Sequence, residues 1–189
     1  MLQLPAATTA LILIDLQKGV VGLPLEPYDG GTVLERGRAL AERFRAAGSP
    51  VVLVNVAFAA DFGDALKAPV DRRQKHPEGG LPKDWTELCD GLQQSSDLLI
   101  TKHQWGAFYG TELDLQLRRR GVRTVVIGGI ATNIGVESTA RAAHEHGYEV
   151  VLLKDATATF SAAMHAFAYE NIFPLLSRVA TTEDIELQQ

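Results

Sequence analysis

Five short apolar runs constrain this chain more than any other feature. They are Thr9–Ile14, Pro50–Val56, Leu98–Thr101, Arg123–Ile127 and Val150–Leu153. Each is too short and too continuous for an amphipathic helix, and such continuity fits a strand covered on both faces. Helical patterns lie between them. Thr32 and Glu35 have capping-box spacing. They open a helix that presents Val33, Gly37, Leu40, Phe44 and Ala47 on one face and stops at Gly48. Thr111–Arg120, Asn133–His146 and Ser161–Ile172 read as three further helices, and residues 177–180 as an edge strand. Residues 57–95 read as irregular, with a short helix expected at Trp85–Leu92. A connection this long is usually a binding loop or hides an element.

Strand–helix alternation predicts an α/β fold: a single-domain, three-layer α/β/α Rossmann-like arrangement with a mainly parallel, doubly wound sheet. The domain is expected to span residues 1–189, long enough for a sizeable core at 46% hydrophobic residues. Net charge is −5, with Lys and Arg scattered rather than clustered. That argues against a nucleic-acid partner, for which a basic stripe is expected. No apolar stretch approaches the roughly 18 residues of a membrane span. Asp15 interrupts the first apolar run and no basic segment precedes it, so no signal peptide is expected. The single cysteine, Cys89, excludes an internal disulfide and fits a cytoplasmic location. His144 and His146, two residues apart in a helical pattern, point to different faces, so neither a zinc site nor any other metal or cofactor is expected.

In parallel sheets, ligands bind beyond the carboxyl ends of the strands, near a switch in strand order. This rule selects residues directly. The first strand delivers Asp15 and Gln17, and the one ending at Thr101 delivers Lys102 and His103. The strand ending at Ile127 delivers Gly128-Gly129-Ile130-Ala131-Thr132-Asn133-Ile134-Gly135, which runs straight into a helix. Such a turn gathers backbone N–H groups and the positive helix end at one point. An acid, an amine and backbone donors are thus expected at one rim.

Three segments, Ile14–Gln17, Thr101–Thr111 and Gly129–Thr139, resemble the signatures of the isochorismatase-like (cysteine hydrolase) family, in the family's order. The resemblance extends over nearly the whole chain. It implies an Asp–Lys–Cys triad that hydrolyses small amides, or acid-catalysed hydrolysis of a vinyl ether as in isochorismatase itself. It places Asp15 at the acid/base position, Lys102 at the lysine position and Gly135 where the nucleophilic cysteine usually stands. It also implies a cis peptide bond just before Ala131, helping to aim a substrate carbonyl. A covalent amidase needs a thiolate, which Gly135 cannot supply. Cys89 lies in the irregular region, away from any strand end, and reads as packing filler. Isochorismatase itself resembles this chain in having glycine at that position. It differs in carrying Arg-Tyr-Ser-Ala-Phe where this chain has Gln104-Trp105-Gly106-Ala107-Phe108, and a histidine where this chain has Asn133.

The expected site is therefore Asp15, Lys102 and Gly135, with Gln17, Trp105, Phe108, Ala131, Asn133 and Ile134 against substrate. Each has a structural alternative. Asp15 could be a strand-end turn former, Lys102 a snorkelling surface lysine, Phe108 core, Gln17 a turn cap and Asn133 a helix N-cap. Ser138 and Thr139 are expected to bond locally to backbone, and Glu137 to complement the helix dipole. Two function classes follow: a hydrolase of a small molecule working without covalent catalysis, or a non-catalytic relative that binds a small molecule or protein through the same pocket. A homo-oligomer is expected from Ile172-Phe173-Pro174-Leu175-Leu176, although core packing explains that segment equally well.

Overall fold

A computed structural model describes residues 1–72 and 79–189. The elements run β1 (Leu2–Pro5), β2 (Thr9–Ile14), α1 (Lys18–Val21), α2 (Gly30–Ala46), β3 (Val51–Val56), β4 (Leu98–Lys102), α3 (Leu113–Arg119) and β5 (Thr124–Ile130). A π-helical turn (Thr132–Val136) then leads to α4 (Glu137–Glu145), β6 (Glu149–Ala158), α5 (Ala162–Phe167), β7 (Arg178–Ala180) and β8 (Ile185–Gln188). Six strands form one parallel sheet in the order β4-β3-β2-β5-β6-β7, and β1 pairs with β8 in a separate parallel ribbon.

The unbroken apolar runs of the inner strands are explained by cores on both faces, whereas β4, at the sheet edge, leaves Leu99 45% exposed. Leu11 and Leu13 of β2 point toward α2 and pack with Val33, Leu40 and Phe44. Ala10, Ile12 and Ile14 point the other way, with Leu113 and Leu117 of α3 and Ala140 and Ala143 of α4. Every residue of β2 is buried, and each large aliphatic side chain so buried contributes about 1.5–3 kcal/mol. The chain winds outward from β2 through β3 to β4. It then returns across to β5 and winds outward through β6 to β7. The switch in strand order therefore lies between β2 and β5, where ligands bind in open α/β sheets.

Several expectations are corrected. Thr32 and Glu35 do not cap α2. Asp29 does, its carboxylate accepting from the Thr32 amide at 2.9 Å. Trp85–Leu92 is not helical but a run of turns. Its backbone is committed elsewhere: Lys18 N donates to Glu87 O, Gly19 N to Trp85 O and Cys89 N to Leu16 O, at 2.9, 3.1 and 3.1 Å. Cys89 thus lies beside the end of β2, not away from it. Of the long connection, residues 73–78 lie outside the described residues.

Several helices are shorter, and β5 and β6 longer, than their patterns suggest. The helix expected from Thr111 starts at Leu113, with the Thr111 hydroxyl accepting from Leu113 N at 3.2 Å. The strand expected to stop at Ile127 continues through Gly128 and Gly129 to Ile130, because Gly129 presses on its neighbour. A Cβ there would lie 2.1 Å from Ile14 O, and its φ of 114° also excludes most side chains. The helix expected from Asn133 begins as the π-helical turn, and the long final helix is α-helical only over Ala162–Phe167 before a second π-helical stretch, Ala168–Ile172. Phe173 is core and Leu175 is exposed.

Candidate active site

Asp15 is the first residue beyond β2. Its amide donates to Val54 O at 2.9 Å, continuing the ladder for one step. Its φ is 52°, in the left-handed region that costs a non-glycine residue about 1 kcal/mol or more. That twist carries the carboxylate over the sheet end, where the residue is 7% exposed. Lys102 closes β4, two strands away, its Cα in register with Val56 of β3. Its four-carbon stem spans the end of β3. The residue is 2% exposed, and its ammonium donates to Asp15 Oδ2 at 2.7 Å and to Gln104 O at 3.2 Å.

The Asp15 carboxyl is pushed up from 3.8 to about 6. Burial is the main cause; the Lys102 charge and its hydrogen bond pull the other way with less effect. Asp15 Oδ1 contributes to that burial cost, since it is buried without a hydrogen-bond partner among the described residues. An acid held near neutrality beside a fixed cation can both give and take a proton in water at ordinary pH.

The third strand end completes the rim. The Ile130–Ala131 peptide is cis, and Ala131 O accepts from Ile134 N and Val136 N, both at 3.1 Å. This turn brings Gly135 against the acid. A Cβ on Gly135 would lie 3.4 Å from Asp15 Oδ2, 3.4 Å from Trp105 O and 3.1 Å from Ile14 Cγ2. Thr139 ties the turn to the loop after Lys102: its hydroxyl donates to Gly135 O at 2.7 Å and accepts from Ala107 N at 3.1 Å.

The structure therefore brings Asp15, Lys102 and Gly135 together, while the other expected residues divide. Ala131 is buried in the turn and Ile134 packs against the α2-side core. The Gln17 side chain does not hydrogen-bond the Asp15 carboxylate. Its amide group donates to Val56 O at 3.1 Å and Trp85 O at 2.9 Å and accepts from Val56 N at 2.8 Å, clamping the 85–89 turns to β3. Phe108 is not a pocket wall: it is 6% exposed, in the core against the rings of His146 and Tyr148. Trp105 is 56% exposed, and its carbonyl rather than its ring faces Gly135. Asn133 is not an N-cap. It accepts from the Thr159 hydroxyl at 2.6 Å and lines a groove of about 410 Å³ with Glu137, Met164 and Phe167. His103 Nδ1 lies 2.7 Å from Ala57 O and 3.3 Å from an Asp64 carboxylate oxygen.

Two supports escaped the sequence. Thr139 was expected only to bond locally, yet it also holds the neighbouring loop. His165 of α5 is buried with its Nδ1 2.9 Å from the Thr132 hydroxyl, bracing the turn from below. Burial, with some help from Lys154, pushes its pKa down to about 4. Only the apolar company of His165 in the sequence hinted at burial. Among the described residues no cluster of three His, Cys, Asp or Glu could hold a metal ion, and no helix is long and apolar enough to cross a membrane.

Comparison with known proteins agrees with this fold. Residues 9–184 match the isochorismatase domain model. The isochorismatase family protein YecD of Escherichia coli O157:H7 is 48% identical over 186 residues, covering 98% of each chain. The ureidoacrylate amidohydrolase RutB of Methylorubrum extorquens is 34% identical over 175 residues, covering 80% of this chain and 70% of that one. The structure of an isochorismatase family protein from Burkholderia thailandensis superposes with a TM-score of 0.91 at 47% identity, covering 95% of this chain and 94% of that one.

Proposed function

We propose, for a chain that belongs to the isochorismatase family of hydrolases, that Asp15 and Lys102 hydrolyse a small molecule by acid/base chemistry, without a cysteine nucleophile. Gly135 stands at the position where the family's covalent members carry that cysteine. The observation that carries the reading is the buried pair itself. An ammonium 2.7 Å from a carboxylate oxygen, both nearly inaccessible to solvent, faces a glycine Cα and no thiol. A buried ion pair is a poor stabilising device, because desolvation offsets much of the attraction. Its value lies in chemistry: the site holds a proton that can leave or arrive near pH 6.

Lys102 has two roles. It keeps Asp15 within reach of neutral pH by opposing the burial that raises its pKa. It also fixes the carboxylate orientation, since Oδ2 is held by the ammonium and the ammonium by Gln104 O. The groups that Asp15 can serve are small, polar and hydrolysable. RutB is named for hydrolysing ureidoacrylate, which makes amides and ureides compounds to screen, and the resemblance to isochorismatase adds vinyl ethers. A location in the cytoplasm and assembly into a homo-oligomer accompany the proposal.

The test is a turnover screen on those three classes with the native protein and with Asp15→Asn and Lys102→Met. Turnover in the native protein that falls at least about 100-fold in Asp15→Asn is expected, the range of general acid–base catalysis. Native-level turnover in Asp15→Asn would remove Asp15 from the mechanism. Binding of a screened compound without turnover would make the chain a binding relative instead.

A further inference from the structure

We infer that Gly135 seats the hydrolytic water, held between Asp15 Oδ2 and the Trp105 carbonyl in front of the bare Cα. This inference rests on the acid/base reading above and names the nucleophile for it. The two acceptors flank one point: a Cβ on Gly135 would be 3.4 Å from each oxygen. A molecule just beyond that point, clear of the Cα, can donate one hydrogen to each oxygen, since a water carries two donors. Ile14 Cγ2, 3.1 Å from the same Cβ position, closes the apolar side. With both hydrogens spent on fixed acceptors, the water's lone pairs point away from the protein wall, toward the mouth of the site.

Hydrogen bonds tie the walls down. Lys102 holds Asp15 Oδ2 at 2.7 Å. Trp105 lies in the loop that Thr139 ties to Gly135, through bonds of 3.1 Å to Ala107 N and 2.7 Å to Gly135 O. Any side chain at position 135 enters the same space. Glycine here is thus the residue that admits a water, and a small amide or ureide, the class for which the relative RutB is named, presents it with a carbonyl carbon to attack. In the step, the water oxygen bonds to that carbon as its proton passes to the Asp15 carboxylate. The C–N bond then breaks and the Asp15 proton goes to the departing nitrogen. Asp15 ends as it began, and no bond to the protein forms.

The first test needs no substrate: a crystal structure of the native protein at pH 8 and high resolution. A water within hydrogen-bond distance of both Asp15 Oδ2 and Trp105 O is expected; ordered solvent elsewhere but none there overturns the inference. Gly135→Ala, with folding checked by circular dichroism, should lose that water and at least about 100-fold in kcat, while Asp15, more deeply buried and without the water's hydrogen bond, titrates above its native value by carbon NMR. Retained kcat in this variant overturns the inference while leaving the Asp15–Lys102 reading intact. If Asp15→Asn turns over normally, that reading fails instead. Native kcat should rise with pH through the titration of Asp15, because the carboxylate must accept the water's proton. A profile that falls over the same range assigns the first step to protonation of substrate, as a vinyl ether requires, and excludes the water-first step.

Discussion

Replacing Lys102 with Met removes the ammonium 2.7 Å from Asp15 Oδ2 and leaves a side chain of similar length. In the native protein the folded Asp15 holds its proton up to about pH 6, against 3.8 for an ordinary aspartate. The folded state therefore binds a proton that the unfolded chain has released. This stabilisation is complete below about pH 4 and is lost as pH rises through about 6, amounting to about 3 kcal/mol. Both influences that lower the Asp15 pKa come from Lys102, so the variant's Asp15 should titrate well above 6. Its stability then continues to fall into the neutral range, at about 1.4 kcal/mol per pH unit. The gap between native and Lys102→Met should be modest at pH 5, where Asp15 is neutral in both. It should widen by up to about 3 kcal/mol between pH 6 and pH 8. Urea unfolding at pH 5, 6, 7 and 8 measures this directly. His165 titrates in the lower part of this range with the opposite sign, but in both proteins, so it cancels in the difference. A gap of equal size at pH 5 and pH 8 would mean that the lysine acts only through packing and that the coupling argued here is absent.

Gly129→Ala should destabilise the protein by more than about 3 kcal/mol, or prevent folding, since strain at positive φ adds to a contact of 2.1 Å with Ile14 O; denaturant midpoints report this. Thr139→Val should cost about 1–3 kcal/mol by leaving Gly135 O and Ala107 N without the hydroxyl, with turnover falling alongside as the two walls of the site separate. The folded His165 is depressed to about 4, so its contribution is present above about pH 6.5 and is lost as pH falls toward 4. His165→Leu should accordingly lose less stability than the native protein on acidification over that interval, measured by thermal unfolding. Gln17→Leu should destabilise the 85–89 turns through three lost hydrogen bonds while leaving the Asp15 titration unmoved, which hydrogen exchange and carbon NMR separate.

The amino-acid sequence by itself determined the six strands of the main sheet and, through the unbroken apolar runs of β2, β5 and β6, burial on both faces and hence a parallel sheet, because a run of four to six apolar residues records its surroundings locally. It also determined that Asp15, Lys102 and the Gly128–Gly135 turn stand at strand ends, since each follows such a run directly. What it did not carry was anything set by partners distant along the chain. Asp29 rather than Thr32 caps α2 because the entering loop chooses between nearby candidates. The 85–92 segment forms turns because its backbone bonds to residues 16–19, and Gln17 faces those turns instead of Asp15. β1 and β8 pair across nearly the whole chain length, which no local pattern records. The site itself is a tertiary product. Only the strand order places β4 two positions from β2, the distance a lysine stem can span. Only the pairing of β5 with β2 sets Gly129 beside Ile14, so that the turn after β5 brings Gly135 against Asp15. Burial, finally, is what moves the carboxyl toward neutrality, and burial belongs to the assembled fold rather than to any residue in it.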